Sequence, residues 1–443
     1  MRSTDTRPAG RHQRRCANAT VWWLATLLLA AAQLAATPAA AQEPPQFLIE
    51  RITVEGVARP AAQQIVRSES RLEEAHTYTE QQLRQAVYRV KRLPFVVDAD
   101  MALRRGSERG AYELVITVEG VKPVAFGLEA VGHLRGGRRL LHSSNDYVAL
   151  VGTLTARRFV GGKGLLFGSF QTAVDDRDRT GSEVMQLGYT RYGLFAPGGF
   201  ASIAVSSALG RDSGDNLQAS LELGVPLAAN HALRFGLART WVDARGRSSG
   251  VSGLPIPTDF HFDSYQGQVS WIYDSTDDPL FATEGSRTTV DAAYAHERQR
   301  VSGGVFSGDE INNTTVLLGA QGRRYWRLTP RQSVAVDGEA SHSQQGFGGN
   351  GGFGFNSRSN RFDQAALTVI HAASLWNEER RARLGDLRLE TGLGASRSTT
   401  HEPAFGPDEH RTTVNLDTAV IFRNAWGLVK LGFRYIYLLR GGR

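Results

Sequence analysis

The sequence predicts a mainly β protein: a transmembrane antiparallel β-barrel preceded by a small α+β domain. Three observations carry this expectation. From Lys122 onward, apolar and polar residues alternate in about fifteen segments, each near the nine to eleven residues that a tilted membrane strand needs. The links between these segments alternate as well, short then long. The chain also opens on an export signal that holds its only cysteine.

Residues 1–41 read as that signal. Arg2, Arg7, Arg11, Arg14 and Arg15 precede an apolar run from Val21 to Ala32, and the small residues Ala39, Ala40 and Ala41 set the expected cleavage site. The apolar run is too short for a spanning helix, and no later segment has eighteen consecutive apolar residues. With Cys16 removed, the mature chain is excluded as a disulfide scaffold, a zinc–thiolate site or a thiol enzyme. The signal takes 5 of the 51 basic and 1 of the 44 acidic residues, leaving 46 against 43. Charges so nearly balanced give no footprint for nucleic acid.

Residues 42–46 form a Pro-containing linker, and residues 47–121 have their own organisation. Ile52 and Val54 belong to a first strand, and Pro60 sits where a first helical residue should. Thr79 and Gln82 make a capping box ahead of Leu83, Ala86, Val87 and Val90, which share one helical face. Pro94 ends that helix. Val97, Ala99, Met101 and Leu103 alternate in one strand, and Tyr112, Leu114, Ile116 and Val118 in the next, with the turn-forming RRGSERG between them. The order strand, helix, helix, strand, strand resembles a POTRA domain. An exposed sheet edge there would let a client strand add through main-chain hydrogen bonds.

Residues 122–443 are expected to form the barrel. Leu217, Ala219, Leu221, Leu223 and Val225 oppose Gln218, Ser220, Glu222 and Gly224, while Val429, Leu431, Phe433 and Tyr435 oppose Lys430, Gly432 and Arg434. One face suits hydrocarbon and the other water. A soluble sandwich alternates too, so loop length decides: FVGGKG, YGLFAPGG, VPLAANH and FRNAWG interleave with long polar links at 243–263, 296–313, 344–363 and 396–411. A one-residue slip would carry basic side chains to the lipid face at roughly 2–4 kcal/mol each at mid-depth.

The most specific run is Asp274–Ser286, DSTDDPLFATEGS, between two alternating strands. It resembles the strand-linking signature D-x-R-D-N-P-x-F-P-T-x-G of the outer-membrane insertase and polypeptide-transporter superfamily, of the BamA, TamA and two-partner secretion transporter type. Asp274, Asp277, Pro279, Phe281, Thr283 and Gly285 match, and Thr276, Asp278 and Ala282 depart from the pattern. The resemblance implies a barrel of the sixteen-strand type in the outer membrane, with its N-terminal domain in the periplasm. It implies a role in assembling, inserting or translocating other polypeptides, without cofactor or enzymatic step. The implied partners are outer-membrane lipid, extended clients and periplasmic accessory proteins.

The same resemblance bears on Gly346–Phe362, which falls between the eleventh and twelfth strands, where the superfamily carries an inward-folded loop with an Arg-Gly-aromatic tip. Arg358 and Arg361 are the nearest candidates for its arginine, although neither precedes glycine. The LETG run at Leu389–Gly392 resembles the strand that presents an acidic partner, so Glu390 is the expected lumen contact. The ordinary alternative is a solvated lumen charge.

Two other functions fit the residues. A passive pore or surface-display barrel would keep the architecture without the loop tip. A barrel-embedded hydrolase would need a catalytic set, and Gly210–Asn216 (GRDSGDN) offers a serine without a matching histidine motif. His261, His296, His342, His401 and His410 are expected mostly in loops, without metal-ligand spacing. Finally, the segment 427–439 ends the count at fifteen strands, so that a last strand is missing, the count is one short, or strands one and fifteen pair in parallel; the expectation is a barrel that lacks its sixteenth strand and exposes a seam there.

Overall fold

The computed structural model of the chain describes residues 45–136, 147–175, 182–210, 214–249, 255–302, 310–349, 359–401 and 409–442. The N-terminal part of this unit contains β1 (Gln46–Glu55), α1 (Pro60–Ser70), β2 (His76–Thr79), α2 (Glu80–Lys91), β3 (Val96–Arg105) and β4 (Ala111–Gly120). Pro60 opens α1, where its missing N–H costs nothing. The capping box of α2 forms: the Gln82 N–H donates to Thr79 Oγ1 at 3.3 Å, and the Thr79 N–H donates to Gln82 Oε1 at 2.8 Å. Leu83, Ala86, Val87 and Val90 turn the buried face of α2 onto Ile49, Ile52, Leu114 and Ile116. Each large side chain so buried contributes about 1.5–3 kcal/mol.

The sheet order is β2-β1-β4-β3, with β1 parallel to β4 and the other pairs antiparallel. The four-residue β2 was not anticipated, because a strand that short has no alternation to detect. It leaves β3 at the opposite edge.

The barrel strands follow in order: β5 (Val124–Gly136), β6 (Tyr147–Val160), β7 (Gly164–Asp175), β8 (Ser182–Tyr192), β9 (Phe200–Gly210), β10 (Gly214–Ala228), β11 (His231–Ser249) and β12 (Pro255–Asp274). After the signature come β13 (Gly285–Ser302), β14 (Glu310–Thr329), β15 (Gln332–Gly349), β16 (Ser359–Ser374), a short helix α3 (Glu378–Leu384), β17 (Asp386–His401), β18 (Glu409–Asn424) and β19 (Gly427–Gly442). All fifteen join in one closed barrel, and neighbours in the chain pair antiparallel.

Two expectations are corrected here. No seam is left open: β19 pairs β5 in parallel, from Gly427 opposite Phe126 to Tyr437 opposite Gly136. With an odd number of strands, the first and last point the same way, and parallel hydrogen bonding is what remains to satisfy both edges. The long polar links are also less loop-like than their composition suggests. β11 and β12 stay paired out to Ser249 and Pro255, and the five histidines at 261, 296, 342, 401 and 410 all lie in strands. Beyond the apolar band both faces of a hairpin meet water, so alternation fades while the backbone ladder continues.

The outer face carries the apolar residues. Leu237 is 62 % exposed, Leu393 60 % and Leu416 48 %, and the same parity in other strands exposes Val269, Val290, Leu367 and Leu431. At the end nearest the N-terminal domain, Trp271 and Tyr273 pack on His231, and Trp326 and Trp426 remain largely exposed. Tyr265 and Tyr294 mark the other limit of the band. The stretch from Tyr265 to Tyr273 spans about 20 Å at ~3.3 Å per residue and ~40° tilt, near the ~25 Å apolar band of membrane barrels.

Candidate functional site

The signature residues build a turn that folds inward across the domain-side mouth of the barrel. Its internal bonds come first. Asp277 Oδ1 accepts from the N–H groups of Thr283 at 2.8 Å and Glu284 at 3.2 Å, and its Oδ2 accepts the Thr283 hydroxyl at 2.6 Å. Asp274 Oδ1 likewise takes both the N–H and the hydroxyl of Thr276, at 3.0 and 2.7 Å. Asp278 Oδ1 accepts from the N–H groups of Leu280 and Phe281 at 2.8 and 2.7 Å, while Pro279, between Asp278 and Leu280, has no donor to leave unmet. Gly285 closes the turn at φ +96°, where a Cβ would lie 2.4 Å from the Ser275 carbonyl oxygen. Only glycine fits there.

Interior arginines from distant strands then hold this turn. Arg423 on β18 forms a fork on Asp278, at 3.0 and 2.9 Å, and also donates to Asp386 at 3.0 Å. Arg388 on β17 donates to the Ala282 carbonyl and to Ser333 Oγ, both at 3.0 Å. The buried ring of Phe281 lies between the two guanidinium groups, 4.5 Å from Arg423 and 5.7 Å from Arg388. Burial works to raise the Asp278 carboxyl, but the Arg423 guanidinium and the two N–H donors outweigh it and hold the group below the usual carboxylate range. Arg327 on β14 braces the outer side, donating to Thr283 Oγ1 at 2.9 Å and meeting Asp277 at 3.3 Å.

The N-terminal domain grips the same turn from below. Arg92, the C-cap of α2, pairs with Asp274 at 2.9 Å and donates to the Thr276 carbonyl at 3.0 Å. The signature pattern has arginine at position 276; here that residue is a buried threonine, and a guanidinium reaches Asp274 from another part of the chain. Further along the joint, Arg71 donates to the Ala228 carbonyl at 2.6 Å, Arg89 to that of Ala229 at 3.3 Å, and Phe95 packs edge-on against Phe159 at 4.9 Å. Leu165 of the barrel, 1 % exposed, joins the domain core. Domain and barrel therefore share one hydrophobic core.

All six matching signature residues thus come together, whereas the expected loop contact does not form among the described residues. Arg358 lies outside them. Arg361 pairs with Asp363 at 3.1 Å, and Glu390 pairs with its strand neighbour Arg388 at 3.2 Å. Register explains the separation: Glu390 lies opposite Ala372 and Arg361 opposite His401, toward opposite ends of β16 and β17. Sequence reasoning missed Arg92, Arg388, Asp386 and Arg423. The alternation that turns Glu390 inward also turns Arg388 inward, so that residue was within reach of the pattern. Nothing in the sequence marks Arg92.

His261 pairs with Asp243, His342 with Asp363 at 2.7 Å, and His410 with Thr399 at 3.1 Å, each across neighbouring strands. Ser213 lies outside the described residues. Among the described residues no group of three or more His, Cys, Asp or Glu could hold a metal ion.

A closed barrel with an apolar outer band and a pinned inward turn defines a membrane-spanning β-barrel joined to an α+β domain. Residues 204–363, which include the whole signature, match the family model of the Omp85 superfamily domain, and this part of the chain is a domain of that superfamily. No curated protein sequence matches the chain. Among solved structures, the chain is similar to BamA from Haemophilus ducreyi lacking POTRA domains 1–3, at 15 % identity and a TM-score of 0.42, over 89 % of this chain and 81 % of that one. It is also similar to CdiB from Acinetobacter baumannii, at 10 % identity and a TM-score of 0.38, over 85 % and 68 %. The alcaligin receptor FauA from Bordetella pertussis shares 11 % identity at 0.31, over 84 % and 62 %. Likenesses this distant say nothing of what this chain does.

Proposed function

We propose that the protein is an outer-membrane barrel that assists the assembly, insertion or translocation of other polypeptides, with residues 47–121 as a POTRA-like domain in the periplasm. The observation that carries this reading is the signature turn, which lies within the superfamily match and is held on one side by the barrel interior and on the other by the domain. Such a turn links what the domain binds to the state of the mouth. The edge strand β3 pairs only with β4 among the described residues, so an extended client can add there through main-chain hydrogen bonds. No step in this reading needs nucleotide, metal or bond cleavage, because strand addition and membrane insertion are driven by hydrogen bonding and apolar burial.

A plain open pore fits less well, since the turn reaches from β12 and β13 to Arg388 on β17 and Arg423 on β18 and crosses the interior. The test is reconstitution of the mature chain in phospholipid vesicles with an unfolded outer-membrane barrel as client. The full chain should speed client insertion, and a chain lacking residues 47–121 should fold but not do so. Equal acceleration by both would overturn the reading.

A further inference from the structure

The five histidines beyond the apolar band, at 261, 296, 342, 401 and 410, share strand parity and register with the outward residues Tyr265, Tyr294, Leu367 and Leu393, so all five belong to the outer wall of the barrel. Charge in this zone is unevenly distributed. On β11 to β14 the outward arginines close on acids: Arg239 on Asp263 at 2.9 Å, and Arg298 and Arg300 on Glu310 at 2.7 and 3.6 Å.

The sector from β15 to β18 is different. Among the described residues Asp363 is the one acid on the outer parity of these four strands, and it is taken twice, by His342 at 2.7 Å and by Arg361 at 3.1 Å. Arg397 is exposed, stands between Ala365 on β16 and Thr412 on β18, and has no ion pair among the described residues. His401 lies opposite Arg361, and His410 bonds Thr399 at 3.1 Å. This sector therefore carries a surplus of basic groups on a wall that faces away from the lumen.

Position narrows what would answer that surplus. Along β17 the outer face runs Leu393, Ala395 and then Arg397; along β18 it runs Leu416, Val414 and then Thr412. The polar and basic residues begin where the hydrocarbon-facing surface ends. A ligand that reaches Arg397 lies against acyl chains, so it belongs to the lipid layer. A phosphate group offers several anionic oxygens, and strands ~4.8 Å apart bring donors from β16, β17 and β18 to one such group. Imidazole donates an N–H whether charged or neutral. A metal ion suits the patch poorly: two guanidinium groups repel it, and no group of three or more His, Cys, Asp or Glu among the described residues could hold one.

We infer that the outer face of β15 to β18 binds the phosphate groups of lipids in the leaflet away from the N-terminal domain, with Arg361 and Arg397 as the charged donors and His401 and His410 beside them. The inference uses the membrane barrel alone and stands apart from polypeptide handling.

The experiment places the full mature chain in phosphatidylcholine nanodiscs containing a minor share of phosphatidic acid with a photoactivatable acyl chain. Illumination should label β16 and β17, and a phosphatidylcholine probe with the same chain should label them far less. The Arg361→Gln, Arg397→Gln variant should lose about tenfold of the phosphatidic acid label. Removing a closed pair instead, with Arg239→Gln and Asp263→Asn, should leave that label in place, as should excess inorganic phosphate. Heat-modifiable gel mobility checks that each variant keeps its barrel; if the arginine variant does not fold, the comparison of the two lipids on the unaltered chain decides. Equal labelling by both lipids, full labelling of the arginine variant, or displacement by inorganic phosphate would overturn the lipid site.

Discussion

Asp278 shows how a departure from a pattern is absorbed by the residues around it. The signature has asparagine there, and both residues can accept from the N–H groups of Leu280 and Phe281; only aspartate also answers a buried Arg423. Arg423 keeps Asp386 as a second partner, so Asp278→Asn should lower unfolding stability in bilayers by only about 1 kcal/mol. Asp278→Ala should cost more, on the order of 3 kcal/mol, because it strands part of a buried charge. Pairing it with Arg423→Met should recover much of that loss, and strict additivity in urea unfolding would show that the two residues are not coupled. Gly285→Ala places a methyl group against the Ser275 carbonyl and should free the turn to protease without unfolding the barrel. The turn's matching residues were legible because what each does is local to the signature: a hydrogen bond at Asp274, Asp277, Phe281 and Thr283, and a backbone demand at Pro279 and Gly285. Arg388, Arg423 and Arg92 were not, because their partners lie on elements that only the closed fold brings near.

At the scale of elements, the sequence reads best where burial differs between two faces. Thr79, Gln82 and the buried stripe of α2 were readable because capping and helical spacing are local. Strand existence was readable from alternation, but strand ends were not, because the hairpins of β11–β12 and β15–β16 continue into water where no face is selected. Closure was left undecided by the sequence for a different reason: an odd strand count allows a parallel pair, but the pairing of β19 with β5 depends on which edges remain free once every hairpin has formed. It makes a definite prediction. Ala130 and Leu431 lie opposite each other in the parallel ladder, and the mature chain is expected to lack cysteine, so Ala130→Cys with Leu431→Cys should form a disulfide in the membrane. A mispaired or open seam would leave both thiols free to a maleimide. Lys430→Glu, facing Glu129 across the same seam, should lower the temperature at which the folded gel band is lost.

For the whole molecule, the joint between domain and barrel should respond to pH. Glu69 at the end of α1 is half-buried, and burial pushes its carboxyl up to about 7 against the pull of Arg71, Arg89, Arg92 and Arg234. A folded value above the unfolded one favours the protonated form. Its contribution to stability is therefore full below about 4.5 and is lost as pH rises through 7. Hydrogen exchange at α1 and the rim turns should be slower at pH 5 than at pH 8, and Glu69→Gln should flatten that difference. An unaltered pH dependence in the variant would assign it to another group.

The parallel ladder also sets an order of events in time. Lys430 and Glu129, joined across it, are 301 residues apart in the chain, whereas the hairpin ladders join strands that are neighbours in sequence. Loop closure on that scale comes late, and pairing in parallel is slightly the weaker kind. Every hairpin from β5 to β19 can form while the sheet is still a curved ribbon with two free edges, and the ring is completed only in the last step. Slowing that step, as the Lys430→Glu change would, should make a long-lived uncyclised species appear during refolding, even where the finished barrel is nearly as stable as before.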